Sequence, residues 1–232
     1  MIAVTARGLS RYSTIKSEHG LAAAIEWLVD RVGSRLINLG VSEILWLEPA
    51  NVKMVGAPPE GYTFRFLTPA EIAGYVSVEN ELGQIHVDRA AAGRDLCFAA
   101  LQGNRLVNYG WYALDCIEGQ HCDCVALSFP ANIAYMYKGF THPEFRGRRL
   151  HGFAMRFAFE QLAAERGIRG LISTVSWLNW ASLKSCERLG YTRLGRMTRF
   201  GWKYFGGGFY PKAACDLGVK FGWRADLSAR KR

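Results

Sequence analysis

Between positions 17 and 39 apolar residues recur at three- and four-residue steps, with Leu21, Ile25, Leu28, Val32 and Leu36 on one side. That period predicts an amphipathic helix facing a core. The period then shortens: Ile44-Leu45-Trp46-Leu47 predicts a short strand, and Gly56-Ala57-Pro58-Pro59 breaks the chain. Alternating aromatics from Tyr62 to Leu67 predict a second strand, which runs into Thr68-Pro69-Ala70-Glu71. A threonine cap, a proline in the first helical position and a glutamate at the third are a helix start, because each deals with an amide that has no intrahelical partner. The helix is expected to reach about Gly93.

Further along, Cys97–Leu101 and Arg105–Tyr112 flank Gln102-Gly103-Asn104 and predict a hairpin. A strand is predicted over Ile133–Thr141, and a helix over 149–166 that turns Leu150, Phe153, Phe157 and Leu162 to the core and stops at Gly167. A buried strand over Leu171–Val175, a short helix over Asn179–Leu189 closed by Gly190, and a strand over Thr192–Phe205 complete the pattern. Gly206-Gly207-Gly208 reads as a flexible joint to a tail whose basic end, Ser228–Arg232, is most simply solvated. This order predicts an α/β or α+β domain with a mixed sheet.

At 232 residues, half of them hydrophobic and 13% aromatic, the chain has the composition of a core-forming globular protein, not a disordered one. Lysine and arginine number 29 against 20 acidic residues, a net charge of +9 that favours a polyanionic partner, whether a phosphorylated cofactor, nucleic acid or an acidic membrane surface. No apolar run reaches membrane-spanning length and no signal core opens the chain, so a cytoplasmic protein is expected. Cysteines stand at 97, 116, 122, 124, 186 and 215. The group Cys116, His121, Cys122, Cys124 does not have the spacing of a common zinc site, and no metal is expected.

The chemistry lies where a strand delivers the chain to Thr141-His142-Pro143-Glu144 and then Phe145-Arg146-Gly147-Arg148-Arg149-Leu150-His151-Gly152. A helix that opens directly after a strand presents unpaired amides and the positive end of its dipole, which together bind phosphate. Gly147 lets the backbone come close to a ligand, and Arg146, Arg148 and Arg149 add charge. Alone, the stretch is better explained as a basic helix start in solvent.

A second stretch, Asn179-Trp180-Ala181-Ser182 followed by Leu189-Gly190-Tyr191, begins 33 residues after Arg146. Together the two resemble the signature segments of the GNAT acyltransferase superfamily. Thr141, Pro143, Phe145 and Arg146 match the start of the first, and Asn179, Ala181, Ser182, Leu189, Gly190 and Tyr191 the second. The likeness covers about residues 61–203. It implies a GNAT-like mixed, mostly antiparallel central sheet flanked by helices and splayed between its fourth and fifth strands, with the arm of acetyl-CoA or another acyl-CoA in the gap. It divides the chain into an N-terminal extension of helix plus short strand (1–60), an acyltransferase domain (61–205) and a tail with room for one more strand (206–232).

The resemblance implies that Gly139, Phe140 and Thr141 line the cofactor arm and hold the thioester carbonyl. By the same likeness, Arg146, Gly147, Arg148, Arg149, Leu150, His151 and Gly152 wrap the pyrophosphate, and Asn179 and Ser182 contact the cofactor. Gly139 is also a candidate for the bulge that opens the sheet. Arg149 and His151 depart from the family's glycine and its glycine or alanine. Cys186 stands where many members place a tyrosine that protonates the leaving thiolate; it is either that acid or a small buried hydrophobe. Tyr135 stands where some relatives have a basic glutamate, and Tyr137, His142 and Glu144 are neighbouring candidates for the base.

The implied activity is acyl-CoA-dependent N-acylation of a primary amine on a small molecule or amino sugar by direct attack in a ternary complex, with acetyl the first donor to consider. The alternatives are acetylation of a protein amine and a catalytically silent acyl-CoA sensor. Nucleic-acid binding driven by the charge ranks behind these. Residues 1–60 either cover the acceptor side or form a homodimer surface.

Overall fold

The computed structural model describes residues 6–37, 39–53, 56–118, 125–202 and 205–223. Eight strands form the main sheet: β1 (Gly40–Leu47), β2 (Thr63–Leu67), β3 (Asp95–Gln102), β4 (Arg105–Ala113), β7 (Ile133–Thr141), β8 (Gly170–Ser176), β9 (Thr192–Trp202) and β10 (Phe205–Phe209). Their spatial order is β10-β9-β1-β8-β7-β4-β3-β2. Neighbours are antiparallel except β7 and β8, which run parallel. Three short strands, β5 (Cys116–Glu118), β6 (Val125–Ser128) and β11 (Lys220–Trp223), form a second sheet in the order β11-β6-β5. The helices are α1 (Ala6–Ile37), α2 (Pro69–Gly74), α3 (Gln84–Ala91), α4 (Leu150–Arg166), α5 (Trp180–Leu189) and α6 (Lys212–Asp216).

The segment expected as a short strand in an N-terminal extension is an interior strand of the main sheet. Five successive residues of β1, Glu43 to Leu47, are buried, which is the signature of a strand covered on both faces. Leu45 and Leu47 enter the cluster beneath α4 and α5, while Ile44 and Trp46 enter the cluster on the opposite face. The Trp46 indole packs on Gly170 of β8, where a Cβ would meet ring carbon at 2.0 Å, so only glycine fits there. Glu43 is buried with them and accepts a hydrogen bond from Arg196 Nε at 2.7 Å.

Several local expectations change. The Thr68 cap forms as expected, with the Thr68 amide donating to the Glu71 carboxylate at 2.8 Å and Arg65 bridging the same carboxylate. That pairing lowers the Glu71 pKa to about 2. The helix does not run on to Gly93, however: α2 ends at Gly74, and α3 begins at Gln84 after a turn closed by Ser77 and Leu82. The residues between, Val76-Ser77-Val78, favour extended backbone. In α1, Leu21, Ile25 and Leu28 are exposed, and among the described side chains Ile15 and Ala24 are the buried apolar ones; those of Val32 and Leu36 lie outside the described set. The helix has a non-helical break at Gly20 and lies on β1 and β9, where small Ala24 allows close approach. The triple glycine is no joint: Gly206, Gly207 and Gly208 pair with Gly201, Phe200 and Arg199 as part of the edge strand β10.

Of the cysteine group, Cys116 is a buried residue of β5, and His121, Cys122 and Cys124 lie outside the described residues, as does the basic end Ser228–Arg232. Among the described residues no helix is long and apolar enough to cross a membrane, and no cluster of three or more metal-ligating side chains occurs.

Candidate functional site

β7 is continuous with β8 for only four residues, from Ile133 opposite Gly170 to Met136 opposite Ser173. Beyond that vertex the pairing stops while β7 goes on pairing with β4, so one edge of Lys138–Thr141 is bonded and the other faces a gap. A bulge helps to open it. Trp111 faces Lys138 and Tyr112 faces Met136, which leaves Tyr137 as the extra residue. The bulge therefore sits at Tyr137, two positions before Gly139, which is regularly paired with Gly110. An extra residue increases local twist and turns a strand away from its neighbour.

The gap holds a cavity of about 760 Å³. Gly139, Phe140, Thr141, Arg146, Gly147 and His151 line it from β7 and the start of α4. Asn179, Ser182 and Cys186 line it from α5. Two motifs far apart in sequence thus meet across one cleft, because β8 carries the chain from the end of α4 back to the head of α5.

The start of α4 has two left-handed residues. Gly147 has φ of 81° with open space where a Cβ would project, so its conformation alone calls for glycine. Arg149, the N-cap, has φ of 60°, which costs a non-glycine residue about 1 kcal/mol. This is the conformational reason for a glycine at that position. The first intrahelical bond comes from the Phe153 amide to Arg149 O at 3.2 Å, so the amides of Leu150, His151 and Gly152 are first-turn donors.

The side chains of the stretch divide. Arg146 donates to Thr141 O at 3.2 Å and stays at the cavity. Arg148 turns aside to the Tyr62 hydroxyl at 2.8 Å and lies over the Phe145 ring. Leu150 is buried in a satellite cluster with Val107 and Phe145, and Gly152 faces Leu189 of α5. Neither lines the cavity, nor does the exposed Arg149 side chain.

His151 points inward from α4 onto Gly139, keeping part of its surface open to the cleft while protein surrounds the rest. That desolvation lowers its pKa to about 4, so the imidazole is neutral at neutral pH. Asn179 caps α5 by accepting the Ser182 amide at 3.2 Å. Asn108 Nδ2 donates to Phe140 O at 2.6 Å and to Thr141 Oγ1 at 2.8 Å, fixing the end of β7. Cys186 is a buried thiol whose pKa burial pushes up to about 11.

The candidate bases are placed differently. Tyr135 is buried on the opposite face of the sheet, in the cluster with Ile44 and Trp46, and its hydroxyl bonds Thr174 Oγ1. It does not line the cavity, although Thr174 does. Tyr137 lines the cavity but donates its hydroxyl to Asp95 Oδ2 at 2.7 Å, in a buried pair with Arg89; burial and that carboxylate raise its pKa well above the usual phenol range. His142 is buried against Asn80, and Glu144 is paired with Arg105.

Glu81, Lys138, Met136, Met155 and Ser173 also line the cavity, and sequence reasoning missed them. Glu81 is the one carboxylate among the described lining residues. It has φ of 52°, and its carbonyl accepts from Lys138 Nζ at 2.6 Å. Its loop is further tied to the sheet by Tyr109, which donates to Asn80 O at 2.8 Å. Its approach to β7 depends on a contact between residues 57 apart, which no local pattern announces.

No protein-family model and no curated protein matches the sequence. Solved structures do. A GCN5-related N-acetyltransferase-like protein from Streptococcus suis superposes with a TM-score of 0.51 at 15% identity, over 78% of this chain and 68% of its own. Weaker superpositions include a GCN5-related N-acetyltransferase from Kribbella flavida, with a TM-score of 0.44 at 14% identity over 82% and 70% of the two chains. They also include a tandem GNAT protein from the clavulanic acid biosynthesis pathway, with a TM-score of 0.49 at 19% identity over 68% and 52%. The chain spans about half the length of that tandem protein.

Proposed function

We propose that this chain, which has the GNAT fold, is an acyl-CoA-dependent N-acyltransferase that acylates a primary amine of a small molecule or amino sugar. The observation that carries the reading is the cleft itself: a cavity of about 760 Å³ between the parted ends of β7 and β8, lined by both motif stretches. The first-turn amides after Gly147, with Arg146 beside them, fit a pyrophosphate. The free edge of Gly139–Thr141 fits an amide-bearing arm, which would add to it as a strand does.

Bound acyl-CoA supplies the activated thioester carbonyl. The backbone donors on the free edge of β7 stabilise negative charge on that carbonyl oxygen. Glu81, at the exposed rim, attracts the acceptor's ammonium group and takes its proton, directly or through water. Cys186 lines the cavity, but burial raises its pKa to about 11, above that of an ordinary thiol, so it is a weak acid there; the departing thiolate takes the second proton that the amine nitrogen loses on acylation. Holding amine and thioester side by side supplies much of the remaining barrier. A soluble protein working in the cytoplasm fits this co-substrate.

One observation favours a second reading, a silent acyl-CoA sensor: the His151 ring lies on Gly139, against the strand where the arm would run. Thiol release from acetyl-CoA and longer acyl-CoAs with a panel of amines, amino sugars and lysine peptides separates the two. Amine-dependent release supports the transferase, and tight CoA binding with no release on any amine supports the sensor.

A further inference from the structure

The bulge at Tyr137 distributes the side chains of β7 to two sides of the open gap. Met136 and Gly139 face α4: Met136 joins the cluster of Met155 and Ala158, and Gly139 lies under His151. Lys138 faces the other way, with its Nζ 5.8 Å from the centre of the Tyr109 ring, which belongs to the cluster beneath α2. Glu81 reaches the gap from the loop on that same side. Among the described residues, Lys138 and Glu81 are the charged groups lining the cavity there, and Arg146 lies just ahead of α4.

The fold leaves both charges with capacity for a ligand. Lys138 donates to Glu81 O at 2.6 Å, which engages one of the three N–H groups of its ammonium. Desolvation lowers the Lys138 pKa and the Glu81 charge raises it, so an anion brought to this half-buried ammonium would gain a charge-assisted hydrogen bond. The Glu81 carboxylate is exposed and has no hydrogen bond or ion pair among the described residues. It is held in place by its backbone: φ is 52°, an outlier for a residue with a Cβ, and the preceding carbonyl, Asn80 O, accepts from Tyr109. Because Lys138 binds the main-chain oxygen of the residue that carries the carboxylate, the two charges stand about one glutamate side chain apart.

A donor with its pyrophosphate at the start of α4 occupies the α4 side of the gap, so the amine comes to the thioester carbon from the side of Lys138 and Glu81. A ligand that satisfies both charges carries an ammonium and a carboxylate a few bonds apart. A neutral amino sugar or a polyamine brings no anion to Lys138.

Resting on the acyl-CoA reading above, we propose that the acceptor is a free amino acid, held with its ammonium on Glu81 and its carboxylate on Lys138, and that Lys138 is the residue that selects it. The step is an acyl transfer: the C–N bond forms, the C–S bond breaks, one proton of the ammonium goes to Glu81 and a second leaves with CoA as its thiol. Thiol release by the full chain, with acetyl-CoA and longer acyl-CoAs, tests this when amino acids are compared with their own amides, which keep the amine and lose the negative charge. Phosphoethanolamine against ethanolamine is the second pair, and amino sugars are the third set. At least one amino acid should show kcat/KM roughly tenfold or more above its amide. Lys138→Met, checked for an unchanged unfolding transition, should narrow that gap by raising KM for the acid, and Lys138→Arg should restore part of it. Amides or amino sugars used as well as the amino acids overturn the proposal while leaving the transferase reading standing. So does a preference for phosphoethanolamine with no amino acid used, which would assign Lys138 to a phosphate. No amine-dependent release with any donor overturns the transferase reading and the proposal with it.

Discussion

The imidazole of His151 lies against the α-carbon of Gly139: a Cβ built there would stand 2.5 Å from Cε1 and 3.2 Å from Nδ1. A helix residue and a strand residue thus share one space at the cleft, and each limits the other. Gly139→Ala should destabilise the chain by about 1–3 kcal/mol, because the ring must leave its place. In the Gly139→Ala/His151→Ala double variant most of that cost should vanish. Urea unfolding of both single variants and the double variant measures the coupling, and strictly additive losses would contradict the contact.

Burial also gives His151 a pH signature. Its folded pKa of about 4 lies below the unfolded value of 6.5, so the folded state binds fewer protons between those limits. Its contribution is fully present above about pH 6.5 and is lost as the pH falls toward 4. The loss is at most about 3 kcal/mol. His86, whose pKa burial also lowers, adds in the same direction. Stability measured at pH 7.5 and pH 5 should therefore fall less in His151→Gln than in the wild type, and equal falls would contradict the assignment.

Arg149 and Gly147 should respond in opposite senses to substitution. Arg149→Gly releases a left-handed arginine and should leave stability unchanged or raise it by up to about 1 kcal/mol, despite the entropy that glycine adds to the unfolded chain. Gly147→Ala imposes the same strain where none exists and should cost about 1 kcal/mol. Thermal unfolding of both variants checks the pair.

The parts of the site that were legible in the sequence are those written locally. The strand into Arg146-Gly147, the helix from Leu150 and the Asn179 cap are each signalled by residues within a few positions of one another. What was not legible depends on pairing between distant residues. The interior place of β1 follows from its contacts with β8 and β9, more than 120 residues away. The bulge at Tyr137 is a register fact about β4, and the glycine at 139, which suggested a bulge, instead accommodates His151. Tyr135 and Cys186 were nominated by position alone; Tyr135 stands where β7 still pairs with β8 and is closed off from the cavity, while Cys186 faces it. Glu81 reaches the site through a loop that only the fold brings to β7.

The two cysteines 186 and 215 give a chemical test of the cleft's walls. Cys186 is buried with its pKa raised to about 11, and Cys215 is exposed. Since the thiolate is the reactive form, iodoacetamide at pH 8 should label Cys215 far faster than Cys186. Because Cys186 lines the cavity, CoA should slow its labelling further and leave Cys215 unaffected. Peptide mass spectrometry over a time course reads both rates.

The most direct test of the central claim, that the cleft between β7 and β8 is an acyl-CoA site, is calorimetric titration of the full chain with CoA, repeated on Gly147→Ala. Saturable binding to the wild type, weakened in the variant with its fold intact, is the result predicted. A folded wild-type chain that takes up no CoA, or one that binds it with an affinity indifferent to Gly147, would contradict the account.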